Sequence, residues 1–335
     1  MSKALRAAVI GLGWAGGVHV KVLSSLDGVD LVAVADTDPE RRVAFDGLRT
    51  AADVGELVRI GVDYCVVATP TTEHERISLE LAAAGVHALI EKPLASTSAE
   101  ATRLAEAFDR AGLVAAVGHT ERRNAAVQEL GARLRNGDYG SVYQVATRRN
   151  SPYPARIRDV GVVTDVAIHD VDLATWLTGR HITSVAAQVV HVTGGPHEDL
   201  ATAVLRLGDD VIADIQVSRV SPSKERIVIV HTAMGCVTAD ALSRTITYHA
   251  HGEIDGDAAA SGSLSDVPGR RTTYEVPYAE PFRVQHEAFR DALLGLPNDI
   301  VTLRQGVAAV EATEAILTAA RTGTSVTFAH AVTSR

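Results

Sequence analysis

At 335 residues the chain is long for one domain and comfortable for two, and its 46% apolar and 22% charged residues exclude large-scale disorder. A formal net charge of −9, with no run of five or more Lys and Arg, argues against nucleic acid or an anionic membrane as the main partner. Aromatic residues make up only 4%, so the core must be built mainly from Ala, Val, Leu and Ile.

The segment Met1–Arg6 has no signal-peptide pattern, and no apolar stretch is long enough to span a bilayer. A cytoplasmic location is therefore expected. Short apolar runs then alternate with amphipathic segments, the pattern of parallel βαβ units. Strands are predicted over Arg6–Ile10, Leu31–Ala35, Tyr64–Ala68, Ala88–Ile90 and Val114–Val117, and helices over Ala15–Leu26, Asp53–Arg59, Thr72–Ala84 and Ser98–Arg110. Thr71 or Thr72 is expected to cap the third helix, with Glu73 and Glu75 near its positive end. Gly85 and Gly112 fall where helix ends favour positive φ. The result is a doubly wound α/β domain over residues 1–120. Cys65 lies in an apolar run and reads as core filling; Cys236 is far from it, and without a CxxC no zinc site or other metal site is expected.

Beyond residue 120 the pattern changes. A helix is predicted over Asn124–Arg135, a turn at Asn136-Gly137, and a strand over Val142–Arg149. A Pro-rich loop (Ser151–Pro154) precedes a helix over Asp165–Leu177. Alternating strands follow at Val185–Val192, Thr202–Leu207, Val211–Ser218, Arg226–His231 and Cys236–Ala239. Gly252–Gly269 reads as a surface loop, and helices over Glu280–Leu294 and Leu303–Arg321 close the chain. Residues 121–335 are thus expected to form a C-terminal α+β domain with a large, mostly antiparallel sheet. Helices on one face would leave the other to pair with a second subunit, so a homodimer or homotetramer is expected.

Gly11-Leu12-Gly13-Trp14-Ala15-Gly16 fits G-x-G-x-x-G. It follows an apolar strand, opens a helix, and is followed by Asp36 at the end of the second strand. Gly11 permits the tight turn, Gly13 lets backbone approach a pyrophosphate, and Gly16 lets helix and strand pack closely. The helix N-terminus offers N–H donors to phosphate. Asp36 can accept from ribose hydroxyls and would repel a 2′-phosphate, which favours NAD over NADP. Arg41 and Arg42 lie close enough to stack on adenine or soften that preference. A glycine turn without a ligand is the plain alternative.

Two further segments carry candidate chemistry. Glu91-Lys92-Pro93-Leu94-Ala95 ends a strand at the carboxyl edge, where open α/β sheets bind ligands. Lys92 can donate to a substrate hydroxyl and stabilise alkoxide charge, or simply pair with Glu91 at the surface. Asp165, His169, Asp172 and Trp176 fall at i, i+4, i+7 and i+11 of one helix, on one face. His169 can serve as general acid or base, with Asp165 orienting the imidazole or the substrate. The alternative is a buried histidine satisfied by a neighbouring aspartate.

The glycine motif, Glu91–Ala95 and the Asp165-x-x-x-His169 helix, in this order and spacing, resemble the glucose–fructose oxidoreductase/inositol dehydrogenase/MocA family over nearly the whole chain. Gly118–Arg122, Pro152–Val162 and Asp165–Asp172 are similar to its UDP-N-acetylglucosamine 3-dehydrogenase-type branch. Where that branch usually continues Phe-Asn-Pro, this chain reads Arg123-Asn124-Ala125. The resemblance implies an NAD-dependent oxidoreductase acting on a sugar or nucleotide-sugar alcohol, with Lys92, Asp165 and His169 catalytic. It extends the cofactor set to Trp14, Ala15, Thr37, Arg41, Thr69, Pro70, His74, Glu91 and Lys92. Arg122, Tyr153 and Arg156 join Lys92, Asp165 and His169 as substrate contacts; Arg156 and Arg158 would suit a phosphorylated or nucleotide-linked sugar, or simply pair with Asp159. A cyclitol dehydrogenase, a deoxysugar ketoreductase and a non-catalytic dinucleotide-binding regulator are the competing readings. Such regulators tend to lose the Lys or the His, and both stand in this chain.

Overall fold

The computed structural model describes residues 4–45, 47–153, 160–252 and 268–328. The chain divides into two units, Met1–Arg123 with Ala279–Glu311, and Asn124–Tyr278 with Ala312–Arg335. No helix among the described residues is long and apolar enough to cross a membrane.

The first unit is built on a six-stranded parallel sheet. Its strands are β1 (Leu5–Ile10), β2 (Val29–Ala35), β3 (Arg49–Ala51), β4 (Tyr64–Val67), β5 (His87–Glu91) and β6 (Ala115–Gly118), in the order β3-β2-β1-β4-β5-β6. Every residue of β4 is buried, as expected of a strand covered on both faces. Strand order reverses between β1 and β4, which opens the ligand crevice of a doubly wound sheet at their carboxyl ends.

Helices α1 (Trp14–Leu23), α2 (Pro39–Val43), α3 (Val54–Ile60), α4 (Thr71–Ala83) and α5 (Ser98–Ala111) connect the strands. Helix α5 is closed by a capping box between Thr97 and Glu100 and ends on left-handed Gly112. The cap expected from Thr71 or Thr72 does not form. Pro70 takes the N-cap position, Thr71 is already helical, and the Glu73 amide donates to the Pro70 carbonyl at 2.9 Å. Helix α2 and strand β3 were too short for periodicity to reveal.

Residues 279–311 also belong to this unit, although sequence order places them in the second domain. Their helix α8 (Pro281–Leu293) buries Phe289 completely, its ring 5.3 Å from that of Tyr64 and edge-on to it.

The second unit is a nine-stranded sheet in the order β14-β13-β12-β11-β7-β10-β9-β8-β15. These strands are β7 (Val142–Asn150), β8 (Ile182–Val190), β9 (Leu200–Leu207), β10 (Val211–Ser218), β11 (Glu225–Thr232), β12 (Gly235–Asp240), β13 (Thr245–His251), β14 (Pro268–Glu275) and β15 (Val326–Thr327). Among the described strands of this sheet only the β7–β10 pair is parallel. Ala201, Ala203, Leu205 and Leu207 of β9 point into the core, alternating with Thr202, Val204 and Arg206. Helices α6 (Ala125–Arg135) and α7 (Ile168–Thr178) add Leu130, Val171 and Leu177 to that core. Of the predicted loop Gly252–Gly269, residues 253–267 lie outside the described residues, while Pro268 and Gly269 begin β14 instead. Helix α9 (Leu303–Thr322) starts in the first unit and ends in the second.

Candidate active site

The glycine turn has the geometry its spacing implies. Gly11 has φ +90°, and a Cβ there would lie 2.6 Å from the Ala68 carbonyl carbon and oxygen. At Gly16 a Cβ would stand 1.8 Å from the Gly11 oxygen, so both positions admit only glycine. Gly13 is different, because the space beyond its Cα is open. It is the N-cap of α1, with no side-chain cap and no acid in the first turn. The first N–H groups of α1 and the positive end of its dipole thus face a spot that backbone leaves clear, as a pyrophosphate requires. Ala15 lies in this first turn, and the exposed Trp14 ring meets Phe282 edge-on at 6.5 Å.

Asp36, just past β2, ties the turn to the next strand. Its Oδ2 accepts the Leu12 N–H at 2.8 Å and its Oδ1 the Asp38 N–H at 2.9 Å. Each carboxylate oxygen has two lone pairs, so each keeps one for a ribose hydroxyl. Arg41 approaches Asp36 at 3.6 Å and Asp38 at 3.5 Å, and Arg42 donates to the carbonyls of Asp36 and Thr37. An open glycine N-cap beside an acid with spare acceptors fits a dinucleotide.

The ends of β4 and β5 are clasped by His74. Its Nδ1 lies 2.9 Å from the Pro93 carbonyl oxygen and its Nε2 3.0 Å from that of Thr69. Burial pushes this imidazole below its ordinary value, against the pull of those carbonyls. His74, expected among the cofactor contacts, is therefore turned to backbone, where as a neutral imidazole with one N–H it donates to one of these two carbonyls.

Glu91 closes β5 opposite Gly118 of β6, and its carboxylate also turns inward. Oε1 sits 3.0 Å from Nε2 of His19, and Oε2 accepts the Lys92 N–H at 3.2 Å. Behind His19, its Nδ1 is 2.8 Å from Nε2 of His286. Burial raises the Glu91 carboxyl, but the bond from His19, with Lys92 and His74 nearby, outweighs it and holds the group below the usual range. Lys92 itself is half-buried, at the carboxyl edge of the sheet. Sequence reasoning missed His19 and His286; the available signal was a histidine inside the apolar stretch Val18-His19-Val20 of a sheet-facing helix.

In the second unit, Asp165 lies in a π-helical turn (Val163–Ala167) that runs directly into α7, whose second residue is His169. Both are half-buried. The i→i+5 bonding widens the turn, so the step from Asp165 to His169 falls just short of a revolution rather than just past it. Glu198 fixes the entrance to this turn. Its backbone oxygen accepts from Val162 at 3.0 Å and its Oε1 from Val163 at 2.9 Å. Next to it, Asp199 accepts from Arg219 at 2.8 Å, and Arg219 donates on to the Val160 carbonyl. Burial raises the Asp199 carboxyl, but the donors at Thr193, Arg219 and Val192 bring it down to about 2.

The face predicted for Asp165, His169, Asp172 and Trp176 is divided. Asp172 is buried, and Trp176 packs on α6 beneath Arg135, where a Cβ on Gly131 would strike its ring. Asp170, beside His169, makes a buried pair with Arg149 of β7 through bonds of 3.0–3.2 Å. Tyr153 is exposed under the Arg219 guanidinium, 5.3 Å from its ring centre. Arg122 is buried in the first unit and donates to Gln305 at 3.4 Å. Arg156, Arg158 and Asp159 lie outside the described residues.

Two family models match the chain. One is an oxidoreductase family with an NAD-binding Rossmann fold, over residues 5–119; the other is the GFO/IDH/MocA C-terminal domain, over residues 127–237. The chain is 30% identical over 270 residues to UDP-N-acetylglucosamine 3-dehydrogenase from Acidithiobacillus ferrooxidans, a match spanning 80% of this chain and 81% of that protein. It is 28% identical to the NAD(+)-dependent scyllo-inositol 2-dehydrogenase of Bacillus subtilis, over 92% of this chain and 94% of the relative. The solved structure of the Acidithiobacillus enzyme matches with TM-score 0.85 at 26% identity, covering 95% of this chain and 98% of the other. GenD2 from gentamicin A biosynthesis, solved in complex with NAD, matches with TM-score 0.83 at 26% identity, covering 98% of each chain.

Proposed function

The chain belongs to the glucose–fructose oxidoreductase/inositol dehydrogenase/MocA family of oxidoreductases, and within it we propose an NAD-dependent dehydrogenase that oxidises a sugar or nucleotide-sugar secondary alcohol at pyranose C3. The observation that carries this reading is Lys92, held by Glu91 at the carboxyl edge of the same parallel sheet whose first turn is the glycine cradle. The C3 assignment is supported by the similarity to UDP-N-acetylglucosamine 3-dehydrogenase. NAD is favoured over NADP because a 2′-phosphate would meet the Asp36 carboxylate.

Bound NAD supplies the acceptor for the hydride that leaves the hydroxyl-bearing carbon. His169 takes the hydroxyl proton on its imidazole as the C–O bond becomes a carbonyl. The Lys92 ammonium donates to the same oxygen and stabilises its partial negative charge. Asp165, set in the wide turn, orients the imidazole or a sugar hydroxyl. Ketone reduction uses the same groups, with His169 as acid.

A cyclitol substrate is the second reading, favoured by the similarity to inositol 2-dehydrogenases. A homodimer or homotetramer goes with either, the outer face of the nine-stranded sheet exposing Val204 and Ile212. The deciding experiment follows absorbance of reduced nicotinamide with NAD and NADP against sugars, sugar phosphates, UDP-sugars and inositols. Turnover confined to UDP-sugars supports the first reading, and turnover confined to inositols the second. Tight dinucleotide binding with no turnover on any of them overturns both.

A further inference from the structure

The first unit contains a buried line of three titratable side chains, His286, His19 and Glu91, that ends on the backbone of Lys92. Both histidines are fully buried, and Phe282 packs edge-on against His19 with ring centres 5.1 Å apart. The donors fix the direction of the line. A carboxylate only accepts, so the proton between His19 and Glu91 sits on His19 Nε2. Burial holds His286 well below the ordinary imidazole value, so it is neutral with a single N–H. Nδ1 of His286 is buried with no hydrogen-bond partner among the described residues. A bare N–H there would cost more than a bare lone pair, so the His286 proton sits on Nε2 and is donated to Nδ1 of His19. Every bond therefore points at Glu91, which receives His19 on one oxygen and the Lys92 amide on the other.

We infer that His19, backed by His286, is a positioning residue: it holds Glu91 as a fixed anion, and Glu91 fixes the main chain of Lys92 and so the direction in which the lysine side chain leaves the strand. Steric evidence agrees. A Cβ on Gly118 would lie 2.7 Å from Glu91 Oε1, so the carboxylate occupies the space that this glycine leaves open on the β6 side. A ring nitrogen of His74 lies 2.9 Å from the carbonyl oxygen of Pro93, the residue after Lys92.

This inference rests on the reading that Lys92 acts on the substrate hydroxyl, but its test does not need a substrate. The chain has four lysines, Lys3, Lys21, Lys92 and Lys224, so selective 15N-lysine labelling resolves the Lys92 amide. Its exchange rate and chemical shift are measured in the unliganded wild type, His19→Leu and His19→Gln, with Lys224 as internal reference. Removing the donor from Glu91 should move the Lys92 cross-peak and speed its exchange by about tenfold or more. Gln places an amide N–H where His19 Nε2 stood and should restore both. An unmoved Lys92 amide in folded His19→Leu protein overturns the inference. Should that variant not fold, Glu91→Gln carries the same test, since its amide cannot accept from both His19 and Lys92.

Turnover is then read separately. Once the panel gives a substrate, His19→Leu should lower kcat by about a hundredfold, as misplacing a reacting group does, and leave NAD affinity unchanged. In Lys92→Ala protein the same substitution should cost nothing further, because the group being positioned is gone. An active Lys92→Ala enzyme refutes the role given to Lys92 and leaves the NMR result standing.

Discussion

Gly161 and Glu198 are in such close contact that a Cβ on Gly161 would fall 1.9 Å from Glu198 Oε1. That oxygen is the acceptor for the Val163 N–H at the mouth of the π-turn. Glycine is required at position 161 by the carboxylate beside it and not by its backbone. Gly161→Ala should push Glu198 off Val163 and release the turn that carries Asp165. The expected cost is about 1–3 kcal/mol of stability, the usual range for overpacking. Thermal unfolding with near-wild-type activity and an unchanged melting midpoint would show that the turn holds without Glu198.

Lys92→Ala and His169→Ala are expected to lower kcat by about 10²–10⁴-fold each, the range for loss of a positioned donor or general base. Both side chains are half-buried, and neither belongs to the core clusters, so the variants should fold. Dinucleotide affinity of His169→Ala, measured by fluorescence titration, should equal that of the wild type. Substantial turnover in His169→Ala would reassign the proton acceptor.

The parts of the site that could be read from sequence are local. Gly11, Gly13, Gly16 and Asp36 follow from one strand–turn–helix–strand pattern, and Lys92 from its place at a strand end. What was hidden depends on partners distant in sequence. His19 finds Glu91 72 residues away and His286 267 residues away, and Val163 meets Glu198 across 35. The amphipathic pattern of Pro281–Leu293 revealed a helix but could not say that it returns to the first sheet. The π-turn was invisible because a four-residue spacing suits an α- or a π-turn alike. Strand β13 was missed for a different reason: along Thr245–His251, Ile246, Tyr248 and Ala250 alternate with Thr and His, but Ile246 is the one strongly apolar residue and the one fully buried, so the period-two signal is weak.

His286 and His74 are expected to contribute to the loss of stability in acid. Burial lowers both imidazoles in the folded protein, while the unfolded chain keeps the ordinary value of 6.5. Below that value the unfolded chain binds more protons than the folded one, so stability is complete above it and lost as pH falls. One such histidine contributes a slope of at most about 1.4 kcal/mol per pH unit. His286→Gln keeps a donor for His19 and does not titrate. Urea unfolding at about pH 7.5 and about pH 5.5, on either side of the imidazole range, should therefore show a shallower acid loss in this variant. Equal losses in variant and wild type would assign the acid sensitivity elsewhere.

Cofactor choice is predicted to rest on Asp36. In the wild type its two oxygens hold the Leu12 and Asp38 amides, and its charge stands where a 2′-phosphate would come. Asp36→Asn keeps the size, removes the charge, and can accept from only one of the two amides through its single oxygen. Two effects should therefore appear together. NAD should bind about tenfold more weakly, as expected when a charge-assisted hydrogen bond is lost. NADP, relieved of repulsion and open to Arg41 and Arg42, should lose less than NAD or gain outright. Dissociation constants for both dinucleotides, taken at low and high salt, separate the two effects, since only the charge repulsion is screened. If the variant excludes NADP as strongly as the wild type at both salts, the discrimination is steric and the Asp36 charge is not its source.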